Sequence, residues 1–281
     1  MTTLERYGFS EERRSLAVPL GRNETYGRVT SAHGDYFHLM CDEAEGEILA
    51  RKKASAFLDE DAVPPTTGDF VRFIYNPTGE SRITGVVSRF SAFERVDPSS
   101  KGLRAQTIAV NFDTLFFLMS VNENFSTARL ERILELCSDT DCRDRLVLVL
   151  SKCDLADKAT LEELLAQLAA YELPTRAISV KSGAGLESLS EYVVPGRTLA
   201  FIGSSGVGKS SLVNALAGEE WMATQEIQSW SGKGRHTTTS RELVMLPSGA
   251  MVIDTPGMRE LGILGKDGDN RFRSSGTHRF R

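Results

Sequence analysis

The residues best placed to do chemistry are Gly203-Ser204-Ser205-Gly206-Val207-Gly208-Lys209-Ser210. They fit G-x-x-x-x-G-K-[ST] in full, after an apolar run and before a helical pattern. Glycines at these positions let backbone N–H groups curl around phosphate oxygens, and the following helix N-terminus adds partial positive charge. Lys209 should reach the β- and γ-phosphates, the Ser210 hydroxyl should bind Mg²⁺, and Ser211 should close the cradle. Asp254-Thr255-Pro256-Gly257 follows the apolar stretch 250–253. A carboxylate at a strand end beside a phosphate loop can hold Mg²⁺ through water, and the Gly257 N–H would sense the γ-phosphate.

A second group of residues reads a base. Ser151-Lys152-Cys153-Asp154 ends the apolar run 146–150 and is similar to the guanine-reading N-K-x-D pattern, with serine in place of asparagine. The Asp154 carboxylate can accept from both the N1–H and the exocyclic amine of guanine, a pair of donors that adenine lacks. A site built on such bonds discriminates strongly, because the wrong base leaves a buried charge unpaired. Ser151 makes one side-chain hydrogen bond fewer than asparagine, so guanine preference is expected with weaker affinity. Ser179-Val180-Lys181-Ser182-Gly183 is similar to the S-A-K loop whose backbone contacts guanine O6.

Between the phosphate-loop helix and Asp254 lies Lys233-Gly234-Arg235-His236-Thr237-Thr238-Thr239. Thr238 is the expected loop threonine on Mg²⁺ and the γ-phosphate, with Thr237 and Thr239 as alternatives. The residue after Gly257 is Met258, where Ras-like proteins carry a water-orienting glutamine. A thioether cannot orient water, which leaves His236 to position the nucleophile; an exposed loop histidine is the other reading.

The elements that must position these residues follow from patterning. Continuous apolar runs at 114–119, 146–150 and 198–202 read as parallel strands covered on both faces, and helical patterns at 127–137, 159–171 and 209–217 lie between them. This alternation predicts an α/β P-loop domain over 108–264. Residues 24–92 read instead as about five short strands broken by Gly and Pro turns, an all-β OB-fold barrel with an SH3-like barrel as the alternative. Residues 1–23 read as a polar leader, 93–107 as a linker and 265–281 as a short basic C-terminal remnant. Arg28, Arg51, Lys52 and Lys53 are candidate RNA contacts on the barrel.

The motifs stand in a permuted order: Asp154 and Ser179 precede Gly203, whereas a conventional GTPase begins with its phosphate loop. The same sheet can be built from a permuted chain because domain termini are often neighbours. A barrel, then permuted guanine motifs, then G-R-H-T-T-T resembles the RsgA/YjeQ family of small-ribosomal-subunit assembly GTPases. Supporting stretches are Thr67-Gly68-Asp69-Phe70-Val71, Ala109-Val110-Asn111-Phe112-Asp113-Thr114 and Arg129-Leu130-Glu131-Arg132. The resemblance covers about residues 24–264. It implies GTP and GDP as ligands, docking of the barrel on the 16S rRNA of the small ribosomal (30S) subunit, and slow intrinsic hydrolysis stimulated by that subunit. It also strengthens the catalytic reading of His236.

The family continues into a zinc domain with a C-R-F-x-D-C-x-H type signature. Here Asn270-Arg271-Phe272 and His278 echo it without a cysteine, so zinc and a folded C-terminal domain are not expected. Cys41, Cys137, Cys142 and Cys153 contain no C-x-x-C pair and read as reduced thiols. A net charge of −5 argues against indiscriminate coating of nucleic acid. No apolar run approaches a membrane span, and the N-terminus lacks a signal-peptide core. A cytoplasmic monomer with no membrane partner is expected. The alternative in a different class is a GTP-binding switch on ribosomal RNA with little or no hydrolysis; a third is an ATP-using P-loop enzyme, which Asp154 argues against.

Overall fold

The computed structural model describes residues 1–58, 62–96, 105–122, 125–138, 142–218 and 241–254. Two short helices, α1 (Thr3–Arg6) and α2 (Glu11–Leu16), open the chain, each with an N-cap hydroxyl, from Thr2 and Ser10. Five strands follow: β1 (Glu24–His33), β2 (Tyr36–Cys41), β3 (Ile48–Lys52), β4 (Phe70–Ile74) and β5 (Ser81–Val86). Their order β1-β2-β3-β5-β4 closes on itself through β1–β4, with β3 and β5 parallel. This is the OB-type barrel expected from the turn spacing. One long strand serves both β2 and β4, and the register slip between Val29 and Ser31 bends it. Val29, Phe37, Leu39, Val71, Phe73 and Ile83 fill the interior.

The hairpin β6 (Ala92–Val96) and β7 (Ala105–Val110) lies across the stretch read as a polar linker. Phe93 is fully buried and Ile108 and Ala109 nearly so, which anchors the hairpin to the core of the α/β domain.

That domain comprises β8 (Thr114–Ser120), α3 (Thr127–Ser138), β9 (Leu146–Ser151), α4 (Lys158–Ala169), β10 (Thr175–Ala177), β11 (Thr198–Gly203), α5 (Lys209–Ala217), β12 (Glu242–Met245) and β13 (Met251–Asp254). The strand order is β10-β9-β8-β11-β13-β12, parallel except for β12. Successive side chains of β8 go to opposite faces. Leu115, Phe117 and Met119 pack with Leu130 and Ile133 of α3 and Leu168 of α4, whereas Phe116 and Leu118 pack with Leu212 and Val213 of α5. Helices on both faces explain why every residue of β8, β9 and β11 is buried.

The N-terminal segment packs against the barrel. Leu4 and Phe9 are 1% exposed and pack with Tyr26, Phe70 and Val87. Arg13 reaches Asp113, 2.5 Å away, whose other oxygen accepts from the Thr198 N–H at 2.8 Å at the start of β11. Arg28 corrects an expectation. Proposed from sequence as an RNA contact, it is fully buried, donates to the carbonyls of Tyr7 and Asn111, and lies over the Phe70 ring. Burial first, then the nearby Arg13 cation, lowers its pKa to about 9, against the pull of Asp113 and Asp69, so it stays charged at neutral pH. Its role is to join the N-terminal segment, the barrel and the α/β domain.

Cys137 and Cys142 lie side by side, with their Cα atoms 5.0 Å apart. Both side chains are driven into the same core, a proximity that sequence spacing alone does not reveal. Cys41 and Cys153 are free.

Candidate functional site

β11 ends at Gly203 and α5 starts at Lys209, so the phosphate loop spans a strand end and a helix N-terminus, as its sequence requires. Its backbone needs glycine at two points in particular. Gly208 caps α5 with φ +104, and a side chain on Gly203 would lie 2.7 Å from the Leu118 carbonyl. Lys209 is 4% exposed, and its ammonium donates to the carbonyls of Gly203 and Ser204, each at 2.7 Å. Burial lowers its pKa from 10.5 to about 8. Ser210 and Ser211 are exposed at the head of α5, as are Ser205 and Gly206 on the loop, while Val207 turns into the core.

The base-side residues converge on this loop. Ser151 ends β9, is buried, and its hydroxyl lies 2.7 Å from the Val207 carbonyl and 3.1 Å from that of Met119. Lys152 adopts a left-handed backbone, φ +59, and its ammonium donates to the Gly206 carbonyl at 2.7 Å. The two residues thus tie the base side to the phosphate side at adjacent carbonyls. Asp154 is exposed, with one carboxylate oxygen accepting from the Ser179 hydroxyl at 2.6 Å. That bond, followed by smaller contributions that include Lys181 and Lys152, holds the Asp154 pKa below the usual carboxylate value. Asp154 is therefore an anion with a free acceptor edge throughout the physiological range.

Ser179 also accepts from the Ser182 N–H at 3.2 Å, which curls Val180 and Lys181 around it. Gly185 was not singled out in the sequence, yet it fixes this loop. Its φ is +74, and any side chain there would collide with the Ala177 carbonyl. The signal was the glycine two residues after Gly183.

Ile253 pairs with Leu243, and β13 lies beside β11 with Ala200 opposite Ile253. Asp254 is therefore the last residue of a strand that flanks the phosphate-loop strand. Ser210 is exposed at the head of α5, and Asp254 ends β13. His236, Thr238 and Gly257 lie outside the described residues, as does the 265–281 segment. Among the described residues, no three His, Cys, Asp or Glu side chains group as a metal site. No helix among them is long and apolar enough to cross a membrane.

A phosphate loop at the end of a central parallel strand, with the Ser151–Asp154 and Ser179–Lys181 loops preceding it in the chain and meeting it in space, defines a circularly permuted P-loop GTPase domain. Known proteins agree. The RsgA GTPase family model matches residues 86–264. Small ribosomal subunit biogenesis GTPase RsgA 1 of Listeria innocua is 39% identical over 264 residues, covering 92% of this chain and 72% of that protein. Small ribosomal subunit biogenesis GTPase RsgA 2 of Lactiplantibacillus plantarum is 39% identical over 247 residues, 88% of this chain and 69% of that one. The crystal structure of YjeQ from Thermotoga maritima superposes with a TM-score of 0.63 at 26% identity, covering 87% of this chain and 78% of that one. The chain belongs to the RsgA GTPase family.

Proposed function

We infer that the protein hydrolyses GTP to GDP and phosphate and assists maturation of the small ribosomal subunit. The observation that carries the guanine assignment is Asp154, held ionised by Ser179 on a loop that Ser151 and Lys152 tie to the phosphate loop. The names borne by its relatives, small ribosomal subunit biogenesis GTPases, support the ribosomal role.

In this reading the backbone N–H groups of residues 203–208 cradle the phosphates, and Lys209 moves from the loop carbonyls to the β- and γ-phosphates. Asp154 reads the guanine edge, and the backbone at Ser179, Val180 and Lys181 meets O6. Ser210, Thr238 and Asp254 would hold Mg²⁺, which neutralises phosphate charge when bound. His236 positions the attacking water, and Gly257 senses the γ-phosphate. The partition proposed is a barrel over 24–92 and a GTPase domain over 108–264, acting as a cytoplasmic monomer. Arg51, which lies over the Tyr36 ring, and Lys52 are partly exposed and Lys53 is exposed on the barrel, and these are the proposed contacts with 16S rRNA.

The test is binding to purified small subunits with a non-hydrolysable GTP analogue and with GDP, across a salt series. Tighter binding in the GTP state, weakening steeply with salt, is the expected result. Equal, salt-insensitive binding in both states would remove the nucleotide-controlled docking.

A further inference from the structure

Strand β12 has two unlike neighbours. Glu242 pairs with Asp254 of β13 on one side and with Ser31 of barrel strand β1 on the other. The barrel and the Mg²⁺ end of the GTPase site therefore share a single strand. In sequence this strand begins just after Lys233–Thr239, the stretch that carries His236 and Thr238.

One turn of the barrel sets where that strand starts. Thr67 is 1% exposed and its hydroxyl donates to the Arg241 carbonyl at 2.9 Å. Gly68 follows with φ +92, and a side chain there would stand 3.0 Å from the Val110 carbonyl and 3.2 Å from Cδ1 of Ile253, the residue before Asp254. The turn is itself locked to the barrel. Gly68 N–H donates to Val29, Val29 N–H donates back to Asp69, and Arg89 forks onto the buried Asp69 carboxylate at 2.8 Å to each oxygen. Asn111, at the entry to the GTPase domain, donates to the Gly68 carbonyl at 3.1 Å. A displacement of the barrel thus reaches β12 and β13 through this turn.

We propose that Thr67 is a positioning residue that transmits docking of the barrel to the γ-phosphate end of the site by fixing the start of β12. The inference rests on the reading of subunit-stimulated GTP hydrolysis. The Thr67 hydroxyl bonds the Arg241 carbonyl and no residue of the phosphate loop, so its loss should leave unstimulated turnover and subunit binding alone. What should fall is the rate reached once the subunit is bound.

The experiment compares the full chain with Thr67→Val, Thr67→Ala and Thr67→Ser, measuring GTP turnover alone and against rising concentrations of small subunits. For the valine and alanine variants, basal kcat, KM for GTP and the half-saturating subunit concentration should stay within about twofold. Maximal stimulated kcat should drop about fivefold, the scale of one hydrogen bond, and the serine variant should recover it. Undiminished maximal stimulation in either hydroxyl-free variant overturns the proposal. So does a loss that saturating subunits repair, or one that serine shares. A wild-type chain that subunits do not accelerate overturns the stimulated-hydrolysis reading itself, and this inference with it.

Discussion

The Ser151 hydroxyl lies 2.7 Å from the Val207 carbonyl, joining the end of β9 to the phosphate loop. A serine has one proton to donate, so this residue braces the loop, while the Asp154 carboxylate carries the proposed base contact. Ser151→Ala should leave buried carbonyls short of a donor, at about 1–3 kcal/mol. GTP affinity should fall about tenfold while the preference for GTP over ATP survives. Asp154→Asn should instead collapse the preference by about two orders of magnitude, through lost GTP affinity. Competition between labelled GTP and unlabelled ATP reads both, and loss of preference in the alanine variant would contradict the division of labour.

Lys209 gives a pH signature. Its folded pKa is lowered by burial to about 8, against an ordinary value of 10.5. Phosphate binding needs the ammonium form. GTP affinity of the free protein should be level below about pH 7 and fall as pH rises through 8, approaching about tenfold per unit. The sign for stability is opposite. Between pH 8 and 10.5 the unfolded chain binds more protons than the folded one at this residue, so its burial costs less as pH rises. A titration of GTP affinity that stays level to pH 9.5 would rule out the lowered pKa.

The N-terminal segment should matter to stability. Phe9 packs on Tyr26 and Phe70 with ring centroids 5.0 and 4.6 Å away and is 1% exposed. Phe9→Ala should cost about 3–5 kcal/mol, read as a lowered urea midpoint. A change within about 0.5 kcal/mol, the usual range for a surface substitution, would mean that residues 1–16 do not belong to the folded unit.

His236→Ala should lower stimulated kcat by about 10²–10⁴, the range for a positioned general base or water-orienting group, with GTP affinity nearly unchanged. Unchanged stimulated turnover would remove His236 from the mechanism.

The parts legible in the sequence are those written locally. The phosphate loop, Asp154, Ser179 and the apolar strands 114–119, 146–150 and 198–202 each carry their signal within a few residues, and the turn spacing of 24–92 carries the barrel. What was not legible depends on partners far along the chain. Arg28 reads as a surface cation until Asn111 and Thr198 close over it. Residues 1–23 read as polar because one buried leucine and one buried phenylalanine are too few to show a period. The stretch 93–107 hides a hairpin because Phe93 and Ile108 face a core supplied by other elements. The bond from Ser151 to Val207 was not legible because it crosses 56 positions.

GTP turnover in service of the small ribosomal subunit is what the fold, the site and the relatives together point to. The most direct measurement is phosphate release from GTP, and from ATP, by the purified chain with and without small subunits. Slow GTP turnover that subunits accelerate at least tenfold, with ATP left intact, is the expected result. Tight GTP binding with no turnover in either condition, or equal turnover of ATP, would contradict it.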